Sequence, residues 1–156
     1  MPKEHKREQL EFRIHKCTNK KRTWEFYKEY HYLNEKLPSS GYGYECVLGD
    51  KRVGFVSIRR FPHPKTKNIM VISRVVIVPE FQGLGIGIKF MNAVADKYNG
   101  KGERVTITTS LKPFIKSLKR NYFWKCTRFS RAGKGKLARS SSRITGSFEY
   151  KKVSNV

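Results

Sequence analysis

The sequence predicts an α/β fold, a mixed and mostly antiparallel sheet flanked by helices, and three observations carry that prediction. At 156 residues the chain has the length of one domain with one core. Strand-like runs alternate with helical ones, and some strands are joined by a tight turn while others are separated by helix-length segments. A long β-branched run, Ile69 to Val78, leads directly into a glycine-rich turn that opens an amphipathic segment.

Leu10, Phe12 and Ile14 alternate with Glu11, Arg13 and His15, the period of a half-buried strand. Thr18 or Asn19 can cap a helix in which Trp24, Tyr27 and Tyr30 recur, and Pro38 marks a point by which that helix must fray. Tyr42 to Leu48 and Arg52 to Arg60 form a hairpin around Gly49-Asp50-Lys51. Phe61-Pro62-His63-Pro64 interrupts the pattern before the long strand 69–78, whose continuous apolar character predicts burial on both faces. Gly85 or Gly87 opens a helix to about Tyr98, with Ile88, Met91, Val94 and Ala95 on one stripe and Asn99-Gly100 as its stop. Val105 to Thr109 is a strand, Pro113 begins a short helix carrying Phe114 and Leu118, and 143–150 alternate as a last strand. Residues 130–142 read as a mobile basic loop within a single domain spanning 1–156.

The charge balance is extreme: 34 Lys and Arg against 12 Asp and Glu, a net +22. Residues 111–156 hold thirteen basic residues against Glu149 alone. A polyanionic partner follows, and nucleic acid is favoured over membrane because no long basic amphipathic helix accompanies the charge. Polyamines and histone-like tails would be repelled. Cys17, Cys46 and Cys126 are odd in number and widely spaced, without Cys-x-x-Cys or zinc-finger histidines, which predicts free thiols and no metal site. With a charged start and no apolar run of about eighteen residues, the expectation is a cytoplasmic protein.

The most informative stretch is Val76-Ile77-Val78-Pro79-Glu80-Phe81-Gln82-Gly83-Leu84-Gly85-Ile86-Gly87. A strand that ends in glycines opening a helix directs several N–H groups to the positive end of the helix dipole, which suits a phosphate or pyrophosphate. A dinucleotide fingerprint fails on spacing, since its third glycine falls on Ile88 or Phe90, and a triphosphate loop fails because Lys89 stands between Ile88 and Phe90 without Gly-Lys-Ser/Thr. The remaining pattern, Gln-x-x-Gly-x-Gly after Val-x-Pro, resembles motif A of the GNAT acetyltransferases. The resemblance implies the GNAT fold, acetyl-coenzyme A as cofactor and transfer of an acyl group to an amine. It further implies a strand splayed at a bulge near Val76 to Val78, with Val76, Ile77 and Val78 holding the pantetheine arm, an N–H of Val76 or Val78 serving the oxyanion, and Gln82, Gly83, Leu84, Gly85, Ile86 and Gly87 wrapping the pyrophosphate.

The catalytic side departs from the family pattern. Where the family carries a proton-donating Tyr, this chain has Ser117 in Ser110-Leu111-Lys112-Pro113-Phe114-Ile115-Lys116-Ser117, and Tyr122 is the nearby substitute. The long strand offers Arg74 instead of a carboxylate. His31 and His63 are the candidate bases because imidazole titrates near neutrality, with His63 also a candidate for the acceptor side. Tyr30-His31-Tyr32-Leu33, Ser73-Arg74 and Ser110 are together similar to Mom-type phage proteins, which implies modification of a DNA base, a catalytic role for Ser110 and a substrate-binding role for Arg74. Lys134, Lys136 and Arg139 are the expected phosphate contacts, and Tyr30, Tyr32, Tyr122 or Trp124 could stack on a displaced base. The rival readings are a protein N-acetyltransferase and a non-enzymatic nucleic-acid-binding protein.

Overall fold

A computed structural model describes residues 11–31, 36–131 and 144–151. Seven strands form one sheet in the order β1-β2-β3-β4-β5-β7-β6. They are β1 Phe12–Lys16, β2 Tyr42–Leu48, β3 Lys51–Arg60, β4 Ile69–Ile77, β5 Arg104–Thr109, β6 Trp124–Arg131 and β7 Ile144–Tyr150. Among the described residues three α-helices accompany them: α1 Lys20–Tyr27, α2 Ile86–Asn99 and α3 Lys112–Arg120. Every neighbouring pair of strands is antiparallel except β4 and β5, which run parallel with α2 as the crossover.

Asn19 caps α1 by accepting a hydrogen bond from Arg22 N at 3.0 Å. Trp24 and Tyr27 are buried, whereas Tyr30 falls in a 3₁₀ turn, Lys28–Tyr30, and is exposed. The stripe expected on α2 is present: Ile88, Met91, Val94 and Ala95 are buried, joined by Phe90 and Tyr98. Gly85 is its N-cap and Gly100 its C-cap.

Three expectations are corrected. β1 is exposed along its length, with Phe12 and Ile14 at 47% and 40%, because it is an edge strand that only β2 borders. β4 is not buried on both faces: Met70, Ile72 and Val76 are covered, while the residues between them are half-buried beside a cleft. Trp124–Arg131, to which no strand was assigned, is β6, and Ser130 and Arg131 belong to it instead of to a loop. Its basic, exposed residues hide the alternation, since within 124–129 only Trp124 is buried. The segment 132–143, including Lys134, Lys136 and Arg139, lies outside the described residues, as do Leu10 and Tyr32.

Between β1, β2, β3 and α1 sits a polar network that binary patterning does not reveal. Glu45, 7% exposed, accepts the Tyr27 hydroxyl at 2.5 Å and Arg52 Nε at 2.7 Å, and His15 Nε2 lies 3.4 Å from its other oxygen. Burial, followed by the bond to Glu45, pushes the Tyr27 hydroxyl far up, so it stays a donor. Glu45→Ala leaves that hydroxyl buried without its acceptor. We expect a loss of about 2 kcal/mol, on the order of 4–8 °C in melting temperature for a chain this size. Tyr27→Phe should cost less, and the double variant should fall short of the sum of the two.

Candidate active site

β4 pairs with β5 only from Ile69 to Ile72, opposite Arg104 to Ile107. Beyond that point the two strands part, as β5 continues along β7 through Thr109 and β4 continues along β3 through Ile77. The parting coincides with a bulge. On β3, Ser57 faces Arg74 and Ile58 faces Ile72, so Ser73 is the extra residue. Ser73 Oγ turns back to bond the Ser57 carbonyl and hydroxyl, each at 3.2 Å. The bulge thus sits at Ser73, three residues before the expected Val76.

The opened strands bound a cleft of about 530 Å³, lined by Ile72 to Ile77, the turn Phe81 to Gly83, Gly85 to Ile88, Ile107 to Thr109, and Leu111, Pro113, Phe114 and Ser117 of the α3 region. Tyr30 and His31 close it from the α1 side. Val76 and Ile77 line it as expected, but Val78 does not, and Leu84 points outward at 67% exposure.

The expectation that Val76 and Val78 present free backbone groups is overturned by the register. Val78 N–H donates to the Val53 carbonyl at 3.0 Å, and Val76, opposite Phe55, has the same phase toward β3. The groups that face the gap belong to Val75 and Ile77. The Ile77 carbonyl accepts Gln82 Nε2 at 2.8 Å, which makes Gln82 a latch between the strand and the turn.

The turn itself explains its glycines. Gly83 and Gly85 have φ of 80° and 74°, the left-handed region where a Cβ is strained. An added Cβ at either would meet no protein atom within 4 Å, so it would project into open space beside the N–H groups. Gly87 is close-packed: a Cβ there would lie 3.3 Å from the Ile77 side chain and 3.4 Å from the Phe114 ring, so those side chains would have to give slightly. No side chain caps α2, leaving its first N–H groups to the cleft. This cradle fits a phosphate or pyrophosphate.

The catalytic candidates separate. His31 is on the cleft wall, half-buried, its ring edge-on to Trp24 at 5.7 Å. Arg74 also lines the cleft, and its guanidinium donates to the Ser73 carbonyl at 2.6 Å and to the Lys36 carbonyl at 2.9 Å, which ties the segment after the 3₁₀ turn to β4. Ser117 lines the cleft where the family resemblance places a tyrosine. His63 does not reach it: His63 Nδ1 accepts from Lys65 N at 3.2 Å and Thr66 N at 3.0 Å, holding its own turn. Ser110 lies between two lining residues without being one, and Tyr122 is 79% exposed outside the cleft. Trp124 is buried, with Nε1 donating to Asn92 at 2.6 Å, and is no stacking platform. Of the tyrosines named as stacking candidates, Tyr30 is the one that lines the cleft among the described residues.

The comparisons agree with this geometry. A family model described as acetyltransferase (GNAT) family matches residues 7–116. The chain belongs to the GNAT acetyltransferase family. No curated protein matches the sequence. Among solved structures, a Bacillus subtilis acetyltransferase in complex with CoA has a TM-score of 0.69 at 11% identity, covering 92% of this chain and all of that one. An Elizabethkingia anophelis GNAT acetyltransferase with acetyl-CoA bound has a TM-score of 0.67 at 15% identity, covering 90% and 98%. A ribosomal-protein alanine N-acetyltransferase from Escherichia coli has a TM-score of 0.67 at 8% identity, covering 94% and 99%. The GNAT fold is the mixed seven-stranded sheet described above, and the protein is an acetyltransferase.

The three cysteines play no part in the cleft. All are unpaired; burial pushes the Cys46 thiol up to about 11 and raises that of Cys17, which keeps both protonated and inert. No helix among the described residues is long and apolar enough to cross a membrane.

Proposed function

We propose that this GNAT protein is an acetyl-CoA-dependent N-acetyltransferase whose acceptor amine is carried by nucleic acid, on a base of DNA or RNA or on an aminoacyl-tRNA. The observation that carries this reading is the dual character of α3. Pro113, Phe114 and Ser117 line the cleft, while Lys112, Lys116 and Lys119 share the solvent stripe of the same helix at i, i+4 and i+7. Among the described residues no carboxylate pairs with any of the three. Lys119 Nζ stands 4.0 Å from the centre of the exposed Phe129 ring, adding an aromatic face to the cationic one. A phosphate backbone laid along α3 would bring its bases to the cleft rim.

When bound, acetyl-CoA supplies a thioester carbonyl to a neutral amine. The residues present fit it: the N–H groups of Gly83 to Gly87 would hold the pyrophosphate, and Val75 and Ile77 would hold the pantetheine arm. Val75 N–H, the gap-facing donor nearest the bulge, would stabilise charge on the carbonyl oxygen. His31 would accept the proton that the amine loses, and Tyr30 would donate one to the departing thiolate.

The test is transfer of labelled acetyl from acetyl-CoA to DNA, RNA, charged tRNA and protein in parallel. Label in a nucleic-acid fraction is expected, and label only in protein would replace this reading with protein N-acetylation. Lys112→Ala/Lys116→Ala/Lys119→Ala should reduce the slope of log affinity against log salt by about 2 to 3, at roughly 0.7 to 0.9 per lost contact. Acetyl-CoA affinity should be unchanged; a loss there instead would assign the lysines to the cofactor's own phosphates.

A further inference from the structure

A second concavity, also of about 530 Å³, lies at the opposite end of α2 from the glycine turn. It is bounded by the first half of β2, the end of β3, the start of β4 and the C-terminal turn of α2. With fourteen residues in α2, the two sites are separated by about 20 Å along the helix axis. The groove shares no lining residue with the cleft beside the glycine turn.

Its lining has a repeated construction. Lys16 Nζ stands 3.9 Å from the centre of the Tyr42 ring, Lys97 Nζ 5.3 Å from Tyr44, and Lys101 Nζ 5.7 Å from Tyr98. Three ammonium groups from β1, α2 and the turn after α2 are therefore each placed over an aromatic face in one groove. Among the described residues, none of the three pairs with a carboxylate. Among the described lining residues the one acid, Glu103, is engaged by Arg60 through two hydrogen bonds of 2.7 and 3.1 Å. The floor is rigid, because Tyr44 and Tyr98 are buried with their hydroxyls 2.8 Å apart. Tyr42, in contrast, is 46% exposed and offers its ring at the rim.

We infer that this groove binds a single strand of nucleic acid, with Lys16, Lys97 and Lys101 on phosphates and Tyr42 stacked on a base. Cations alternating with aromatic faces match the alternation of phosphate and base along a strand, and stacking tolerates any sequence because every base has a π-face. The negative end of the α2 dipole opposes an anion here, but that effect is confined to the last turn of the helix, and three lysines without a carboxylate partner among the described residues outweigh it. The site is remote from the cradle, so a strand held there does not compete with the cofactor's pyrophosphate. It gives the protein a grip on the acceptor molecule apart from the reacting amine, and in that role it rests on the acceptor proposed above.

The experiment is titration of labelled twelve-nucleotide DNA and RNA strands over a salt series, against wild type, Lys16→Ala/Lys97→Ala/Lys101→Ala and Tyr42→Leu. A control variant removes three other exposed lysines, Lys21, Lys65 and Lys67. The groove triple should bind at least tenfold more weakly with a salt slope lower by about 2, at roughly 0.7 per contact on a single strand. Tyr42→Leu should lose about tenfold, within the range for one base stack, with little change in slope. Acetyl-CoA affinity and melting temperature should not move. Equal losses in the control, unchanged binding in the groove variants, or no strand binding by wild type would each overturn the inference. Displacement of the strand by a mononucleotide at equal concentration would overturn it too, marking a nucleotide pocket instead. Acetyl transfer measured on the same samples separates the two ideas. Label entering nucleic acid with unaltered groove-variant binding removes the groove alone, and groove-dependent binding with label only in protein removes the nucleic-acid acceptor alone.

Discussion

Gly85→Asp should lose coenzyme A binding by at least a hundredfold in calorimetry while leaving the fold in place. Two effects act on the unliganded protein with opposite sign. Gly85 has φ of 74°, and a residue with a Cβ is strained there by about 1 to 2 kcal/mol. The introduced carboxylate also lies at the N-terminus of α2, where a negative charge is worth about 0.3 to 1 kcal/mol. The melting temperature should thus fall by only a few degrees. Binding suffers on two counts that add, because the added carbon crowds the open space beside the N–H groups and the charge sits against the pyrophosphate. Gly85→Ala separates them: it carries the backbone strain without the charge, and should lose clearly less affinity than the aspartate variant. Wild type that fails to bind coenzyme A, or an aspartate variant that binds normally, would refute the assignment of the turn.

The glycine turn was legible because its requirements are local. Positive φ at Gly83 and Gly85, the packing of Gly87 on Ile77 and the Gln82 latch to Ile77 all act within a dozen residues, so they leave a compact signature. The splay of the sheet was legible only through family likeness, and its position was misplaced. A bulge at Ser73 is stabilised by hydrogen bonds to Ser57, sixteen residues away on another strand, and nothing in the run Ile69 to Val78 marks one serine as extra. Shifting the bulge changes which backbone groups look into the gap, since orientation alternates along a strand. That is why the groups of Val75 and Ile77, and not those of Val76 and Val78, face the gap, with the Ile77 carbonyl taken by Gln82.

The residues that were misassigned share a different cause. His63 is near the cofactor strand in sequence, but Pro62 and Pro64 build a turn whose own N–H groups occupy its imidazole. Tyr122 follows α3 closely, yet the helix ends at Arg120 and the chain turns into β6, carrying the phenol away from the cleft. Short separation along the chain is a poor guide where a helix end intervenes. The network on Glu45 was invisible for the converse reason, because its members Tyr27, Arg52 and His15 come from three elements that each read as ordinary amphipathic segments.

His31→Ala should lower turnover by about a hundredfold or more with coenzyme A affinity retained. His31 follows the 3₁₀ turn, where its backbone N–H bonds the Lys28 carbonyl at 3.3 Å, and its extended conformation, φ −80° and ψ 134°, brings it to the cleft wall beside Tyr30. The edge-on contact with buried Trp24 orients the ring, and imidazole is the side chain type suited to take the proton of an attacking amine. Removal of the ring also loses that aromatic contact, worth about 0.5 to 1.5 kcal/mol, so a drop of a few degrees in melting temperature is expected. Rate, not stability, must therefore decide. His31→Gln keeps a polar group of similar reach but cannot accept the proton at neutral pH, and its rate should fall as far as that of the alanine variant. The wild-type profile of kcat/KM against pH should rise as a group titrates in the range of a histidine and then level, and in both variants that limb should vanish. A retained limb with a normal rate would make His31 a packing residue against α1 and leave the proton to solvent. His63→Ala, measured alongside, should leave rate and profile unchanged because its imidazole never reaches the cleft.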